Sequence, residues 1–182
     1  MAIAASDIKF KLSLKTGAAG NSAAQPDVNE SLGKYISTTE LTDNTLNNLF
    51  DDITGDENAA SDVEYRCIFV HNAHATLTWE NVVAWLSAEV AGGAVITIAI
   101  DDLPDSAIGD SNAQADLIAN ESTAPGAGVG AFSGPTSKVT GLALGDIAPG
   151  YCRAIWIKRT AANTVAVNND GVTIKCEGDT GA

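Results

Sequence analysis

The chain reads as all-β, a single-domain β-sandwich or jelly-roll with one short helix and long loops. Three observations predict this class: apolar and polar residues alternate with a period of two in segment after segment, turn-forming Gly, Pro, Asn and Asp separate those segments, and a single stretch carries helical spacing.

Residues 7–15 open the series, with Ile8, Phe10, Leu12 and Leu14 on one face and Lys9, Lys11, Ser13 and Lys15 on the other. This is expected as an outer strand, since lysines discourage unwanted pairing at a sheet edge. Residues 16–31 are rich in Gly, Ala, Asn and Ser and read as loop. In residues 43–55, Leu46, Leu49, Phe50 and Ile53 fall at i, i+3, i+4 and i+7, which predicts one short helix, with Asp43 or Asn44 as its cap and Gly55 as its stop. Residues 62–71 alternate and then become apolar on both faces, as in a central strand. Strands follow at 76–79, 81–90 and 94–100, the last two joined by residues 91–93 in a length that suits a hairpin.

Residues 101–136 carry Pro104, Gly109, Pro125, Gly126, Gly128, Gly130, Gly134 and Pro135, a density that breaks regular structure. A long excursion with at most short strands is expected there. Strand pattern resumes at 138–144, 151–160, 165–167 and 172–176. The domain reading is therefore an N-terminal strand able to act as an arm (1–31) followed by the β-sandwich domain (32–182), without an interior linker or repeat.

The 182 residues can bury a substantial core without disulfides or metals. Ten Lys and Arg against 23 Asp and Glu give a net charge of −13, which repels phosphate backbones and argues against nucleic-acid binding. The first residues lack the basic start of a secretory signal, so no export is expected. The longest uncharged apolar stretch, residues 90–100, falls well short of the roughly 20 residues of a membrane helix. Cys67, Cys152 and Cys176 contain no CxxC pair and suit buried free thiols in a reducing compartment, with a Cys152–Cys176 bridge as the competing arrangement.

Candidate chemistry is sparse. Cys67 and His71 on one strand face stand roughly 13 Å apart at the usual rise, too far for one zinc ion, and His74 sits in a turn-like segment. Acidic residues cluster at 43–64 and again at Asp101, Asp102, Asp105, Asp110, Asp116 and Glu121, without the spacing of a calcium loop. A glycosidase pair would need a fixed carboxylate separation that sequence does not supply, and Trp79 and Trp85 are the nearby aromatic platforms. The glycines 126, 128 and 130 do not make a dinucleotide fingerprint, and Ser133 in GAFSG is one position off a nucleophile elbow. The expectation is a non-enzymatic protein with no cofactor and no metal. Trp79, Trp85 and Trp156 are expected in the core or at an interface.

Four blocks carry a family resemblance. LNNLFDDITGDENAASDVEYRCIFV with HNAHATL (46–77), NESTAPG (120–126), LALGDIAPGYCRAIWIKRT (142–160) and NNDGVTIKCEGDT (168–180) are similar, in this order, to a widespread group of tailed-bacteriophage virion structural proteins. The resemblance implies a virion component made in the host cytoplasm, most simply a capsid decoration or cement protein that binds the major capsid protein on the outer head surface. The acidic balance fits an outer position, away from packaged DNA. Tail or neck attachment is the alternative within the same class, and a carbohydrate-binding β-sandwich module the alternative outside it. A capsid lattice offers threefold sites, so a homo-oligomer, with a trimer favoured, is expected. Lys9, Lys11 and Lys15 form the most basic strip and are the candidate partner-binding residues, with solvated lysines of an ordinary edge strand as the plainer alternative.

Overall fold

The computed structural model describes residues 2–16 and 23–181. Among these described residues nine strands form two antiparallel sheets: β1 (Ile8–Leu14), β2 (Tyr35–Glu40), β3 (Val63–Asn72), β4 (Trp79–Glu89), β5 (Val95–Ile100), β6 (Ser106–Ala107), β7 (Leu142–Ile147), β8 (Tyr151–Thr160) and β9 (Val172–Thr180). The larger sheet runs β2-β1-β3-β8-β5 with β6 also on β8, and the smaller runs β7-β4-β9. The chain is an all-β single domain. No helix among the described residues is long and apolar enough to cross a membrane.

The apolar doubling of β3 and β8 has a direct cause: the large sheet is covered on both faces. On one face Ile68, Val70, Ile155 and Ile157 meet Trp79, Val82, Ala84, Leu86, Leu144 and Ile147 of the small sheet. On the other, Cys67, Phe69, Cys152, Ala154 and Trp156 lie under Leu32, Ile36, Ala115 and Ile118, which belong to β2 and two loops. The excursion after β5 is thus a lid over a second core. Asp101 anchors it from a fully buried position, where its Oδ2 accepts from Trp156 Nε1 at 2.9 Å and Asp116 N at 2.8 Å, and its Oδ1 from Leu103 N at 3.1 Å. Gln114 continues the closure, accepting from Ile36 N and donating to Ser106 Oγ and Ala107 O. The lid touches residue 33 so closely that a Cβ there would lie 1.9 Å from the Asp116 carbonyl oxygen, and φ is +98°, so only glycine fits.

Several local expectations change. The strand at 7–15 is not a sheet edge: β1 is hydrogen-bonded to β2 on one side and β3 on the other. Lys9 is accommodated there by its ion pair with Glu40 of β2, and Lys11 is buried. The strand of the supposed arm 1–31 is consequently an inner strand of the sandwich.

Residues 43–55 form turns, not a helix. Asn44 and Asn47 take left-handed φ values of 57° and 55°, which interrupt a helical run, and the Leu49 carbonyl accepts from Arg66 Nε instead of from a following helical turn. The one short helix, α1 (Gly55–Ala60), begins where the expected one would have ended. Thr54 caps it by accepting from Glu57 N while Glu57 accepts from Thr54 N, a reciprocal pair that satisfies two end donors.

Residues 79–89 form one strand, and the apparent break near residue 81 is a bulge where Asn81 has φ 52°. Strands β4 and β5 do not form a hairpin, because the 90–94 connection passes from one sheet to the other. No strand forms at 165–167.

Candidate functional site

The three lysines are dispersed in use although adjacent in sequence. Lys9 Nζ lies 3.4 Å from Glu40 on β2, and Lys15 pairs with Glu30. Lys11 is only 8% exposed and shares a sheet face with His71. Burial, reinforced by the Lys11 charge, lowers the His71 pKa to about 4, so the imidazole is neutral near pH 7. Its Nδ1 is buried without a hydrogen-bond partner. Two of the three ammonium groups are therefore engaged by carboxylates of their own chain, and the third is sheltered.

His74 closes a turn, its Nδ1 accepting from Thr76 N and Leu77 N. Asn72 holds the same turn by donating to the Leu77 and Ile147 carbonyls. Cys67 and Cys152 are buried and unbridged, Cys176 is partly exposed and also unbridged, and burial raises the Cys152 and Cys176 thiols to about 12. Among the described residues no three His, Cys, Asp or Glu side chains gather as metal ligands. The carboxyl of Asp116 is pushed upward by burial and by the neighbouring Asp101 and Asp102 charges. Trp79 and Trp85 are 5% and 8% exposed, and Trp156 is fully buried, so none presents a ring face to solvent. Ser133 exchanges backbone hydrogen bonds with Ile98 and covers the open side of β5.

A cluster that sequence reading did not single out joins two arginines, three carboxylates and one aromatic ring. Arg66 on β3 is fully buried, donating from Nε to Leu49 O at 3.2 Å, from Nη1 to Tyr65 O at 3.1 Å, and from Nη2 to Asn29 Oδ1 and Glu121 Oε2 at 2.6 Å each. Arg159 on β8 donates from Nε to Glu64 Oε2 at 2.6 Å and from Nη2 to Asp51 Oδ1 at 3.0 Å, and also binds the Asp51 carbonyl. The two guanidinium carbons lie 5.0 and 4.7 Å from the Phe50 ring centroid, so both cations use one aromatic ring. Burial raises the Glu64 carboxyl despite the opposing pull of Arg159.

Neighbouring strands place Arg66 and Arg159 on the face shared by Ile68 and Ile157, with the turns at 47–53 folded over them. A period-two pattern marks such residues only as polar positions, and charge gives no hint that they are buried. The available sign was the position of both arginines inside otherwise apolar strands, where an unpaired charge would be costly.

The clasp joins segments far apart in the chain, and most of its members come from three segments, residues 46–77, 120–126 and 142–160. Phe50, Asp51, Glu64 and Arg66 belong to the first, Glu121 to the second and Arg159 to the third. No family model, curated protein or solved structure matches the chain.

Proposed function

We propose that the protein is a non-enzymatic structural component of a bacteriophage virion, acting as a decoration or cement protein on the outside of the head. One observation carries this reading: three of the four blocks on which the resemblance rests contribute to the Phe50–Arg66–Arg159 clasp, whose guanidinium groups are held by Asp51, Glu64, Glu121, Asn29 and backbone carbonyls. Such an assembly fixes loops to the larger sheet, which suits a part that must hold its shape on a pressurised shell. The net charge of −13 favours the outer side of the shell, where packaged DNA does not repel it. Its partner in this reading is the major capsid protein, engaged by several copies at once, which multiplies weak individual contacts.

Cryo-microscopy of the virion tests the proposal. Two-sheet sandwich density on the outer head surface is the expected result, whereas density confined to the neck or tail overturns the head assignment. Glycan-array binding by the purified chain would instead favour the carbohydrate-binding reading, against which the burial of Trp79 and Trp85 already counts.

A further inference from the structure

Strand β9 forms one margin of the small sheet and pairs with β4 alone. Among the described residues, its hydrogen bonds beyond β4 are the Ile3 N–H to Thr180 Oγ1 and the Lys138 ammonium to Glu177. Other sheet margins are occupied or broken. Ser133 covers β5, Ala23 O accepts from Thr38 N of β2, and β7 contains Gly145 at φ 79°. Both irregularities of the β4–β9 pair place the extra residue on β4, so β9 keeps its alternation of half-buried and exposed positions from Val172 to Asp179. Its inward residues, Ile174 and Cys176, are half-buried against the core, and Cys176 borders a slot of about 260 Å³ of mixed polar and apolar lining, to which Ile3, Ala4 and Ala5 contribute together with Phe10 and Trp79. Apart from the N-terminal residues that approach its Thr180 end, no strand pairs with this margin among the described residues, and a regular strand there is a template for another strand.

We propose that the occupant is β9 of a second copy, paired antiparallel about a twofold axis at Cys176 so that two three-stranded sheets become one. The charges select this partner and this register. The outer face reads Thr173, Lys175, Glu177 and Asp179. Centring on Cys176 sets each Lys175 opposite Glu177 of the other copy and each Thr173 opposite Asp179. Centring on Lys175 or on Glu177 sets like charges opposite each other, and a shift by one residue would put the polar face of one strand on the apolar side of the other. The contact is twofold, a pair where the shell lattice alone suggested a trimer. It is a property of the free chain and does not rest on the virion reading.

Light scattering on the full chain at about 100 µM tests it. The wild type should be dimeric, and a monomer throughout the range overturns the proposal. Lys175→Glu and Glu177→Lys each create two like-charge pairs and should weaken self-association at least about tenfold. An equimolar mixture of the two variants restores both unlike pairs and should dimerise as a heterodimer, provided circular dichroism shows both folded. Undiminished dimers of either folded variant alone overturn the register. Amide exchange on the wild type decides independently of any variant. Residues 172–179 should become more protected as concentration rises, and protection that does not change refutes pairing through β9.

Discussion

Replacing Arg159 by Met keeps much of the aliphatic bulk and removes the guanidinium that holds Glu64. The Glu64 side chain is 14% exposed, and its remaining cation, Arg66 Nη2, is 3.9 Å away, beyond hydrogen-bond distance. Asp51, nearly half exposed, can rehydrate. Leaving one member of a buried pair uncompensated costs about 3–5 kcal/mol, and the partial exposure of Glu64 places this site near about 3. Losing one of the two cations on Phe50 adds about 0.5–1 kcal/mol, so the expected loss is about 4 kcal/mol. With a urea slope of about 2–3 kcal/mol/M, the midpoint should fall by about 1.3–2 M, followed by tryptophan fluorescence. Adding Glu64→Gln should recover part of the loss, because the stranded charge is gone. The folded-state pKa of Glu64 already lies above its ordinary value and rises further without Arg159, so the deficit should narrow as pH falls through that pKa. Lys9→Met, which breaks a half-exposed pair, should cost less than about 1 kcal/mol. If Arg159→Met is as mild as Lys9→Met, the clasp does not stabilise the fold in the way argued.

Three further outcomes are expected. Deleting residues 1–15 removes an inner strand containing buried Leu12 and Ser13, so circular dichroism should show an unfolded product; a folded one would restore the separable-arm reading. Gly33→Ala drives a Cβ into the Asp116 carbonyl at a left-handed φ and should cost more than about 4 kcal/mol in urea unfolding, if the variant folds at all. Because the His71 pKa falls from 6.5 to about 4 on folding, its neutral form contributes stability that is full above pH 6.5 and is lost as pH falls towards 4. Allowing for the ring's partial exposure, about 1–2 kcal/mol should disappear over that window, and His71→Gln should flatten that part of the stability profile.

The period-two pattern was enough to find β1, β3, β5 and β8, because each alternates or becomes apolar in step with the faces it buries. Pairing partners were not legible. Nothing local in residues 81–100 says that β4 and β5 belong to opposite sheets, since a short connection can turn a corner as readily as a hairpin. The spacing of Leu46, Leu49, Phe50 and Ile53 imitates a helix, but the Arg66 guanidinium claims the Leu49 carbonyl and Leu46 faces solvent. The lysines of β1 suggested an edge because charge is the usual edge signal, whereas Glu40 and Glu30 absorb two of them within the fold. The clasp was hidden for the same reason: a charged residue in a strand looks alike whether water or another charge neutralises it.

The position of β8 between β3 and β5 sets a schedule for synthesis. Val63 pairs with Thr160, and the rest of β3 with the residues just before it, so β3 cannot complete its hydrogen-bonded ladder until β8 has been made. At about 5–20 residues per second that wait is of the order of 5–20 s, much longer than nonspecific collapse takes. During it the Cys67–Val70 run has no β8 to cover its edge. Slowing translation after residue 72 should therefore increase aggregation of the nascent chain more than slowing it after residue 160, and holding chaperones that shield apolar strands should matter most in that interval.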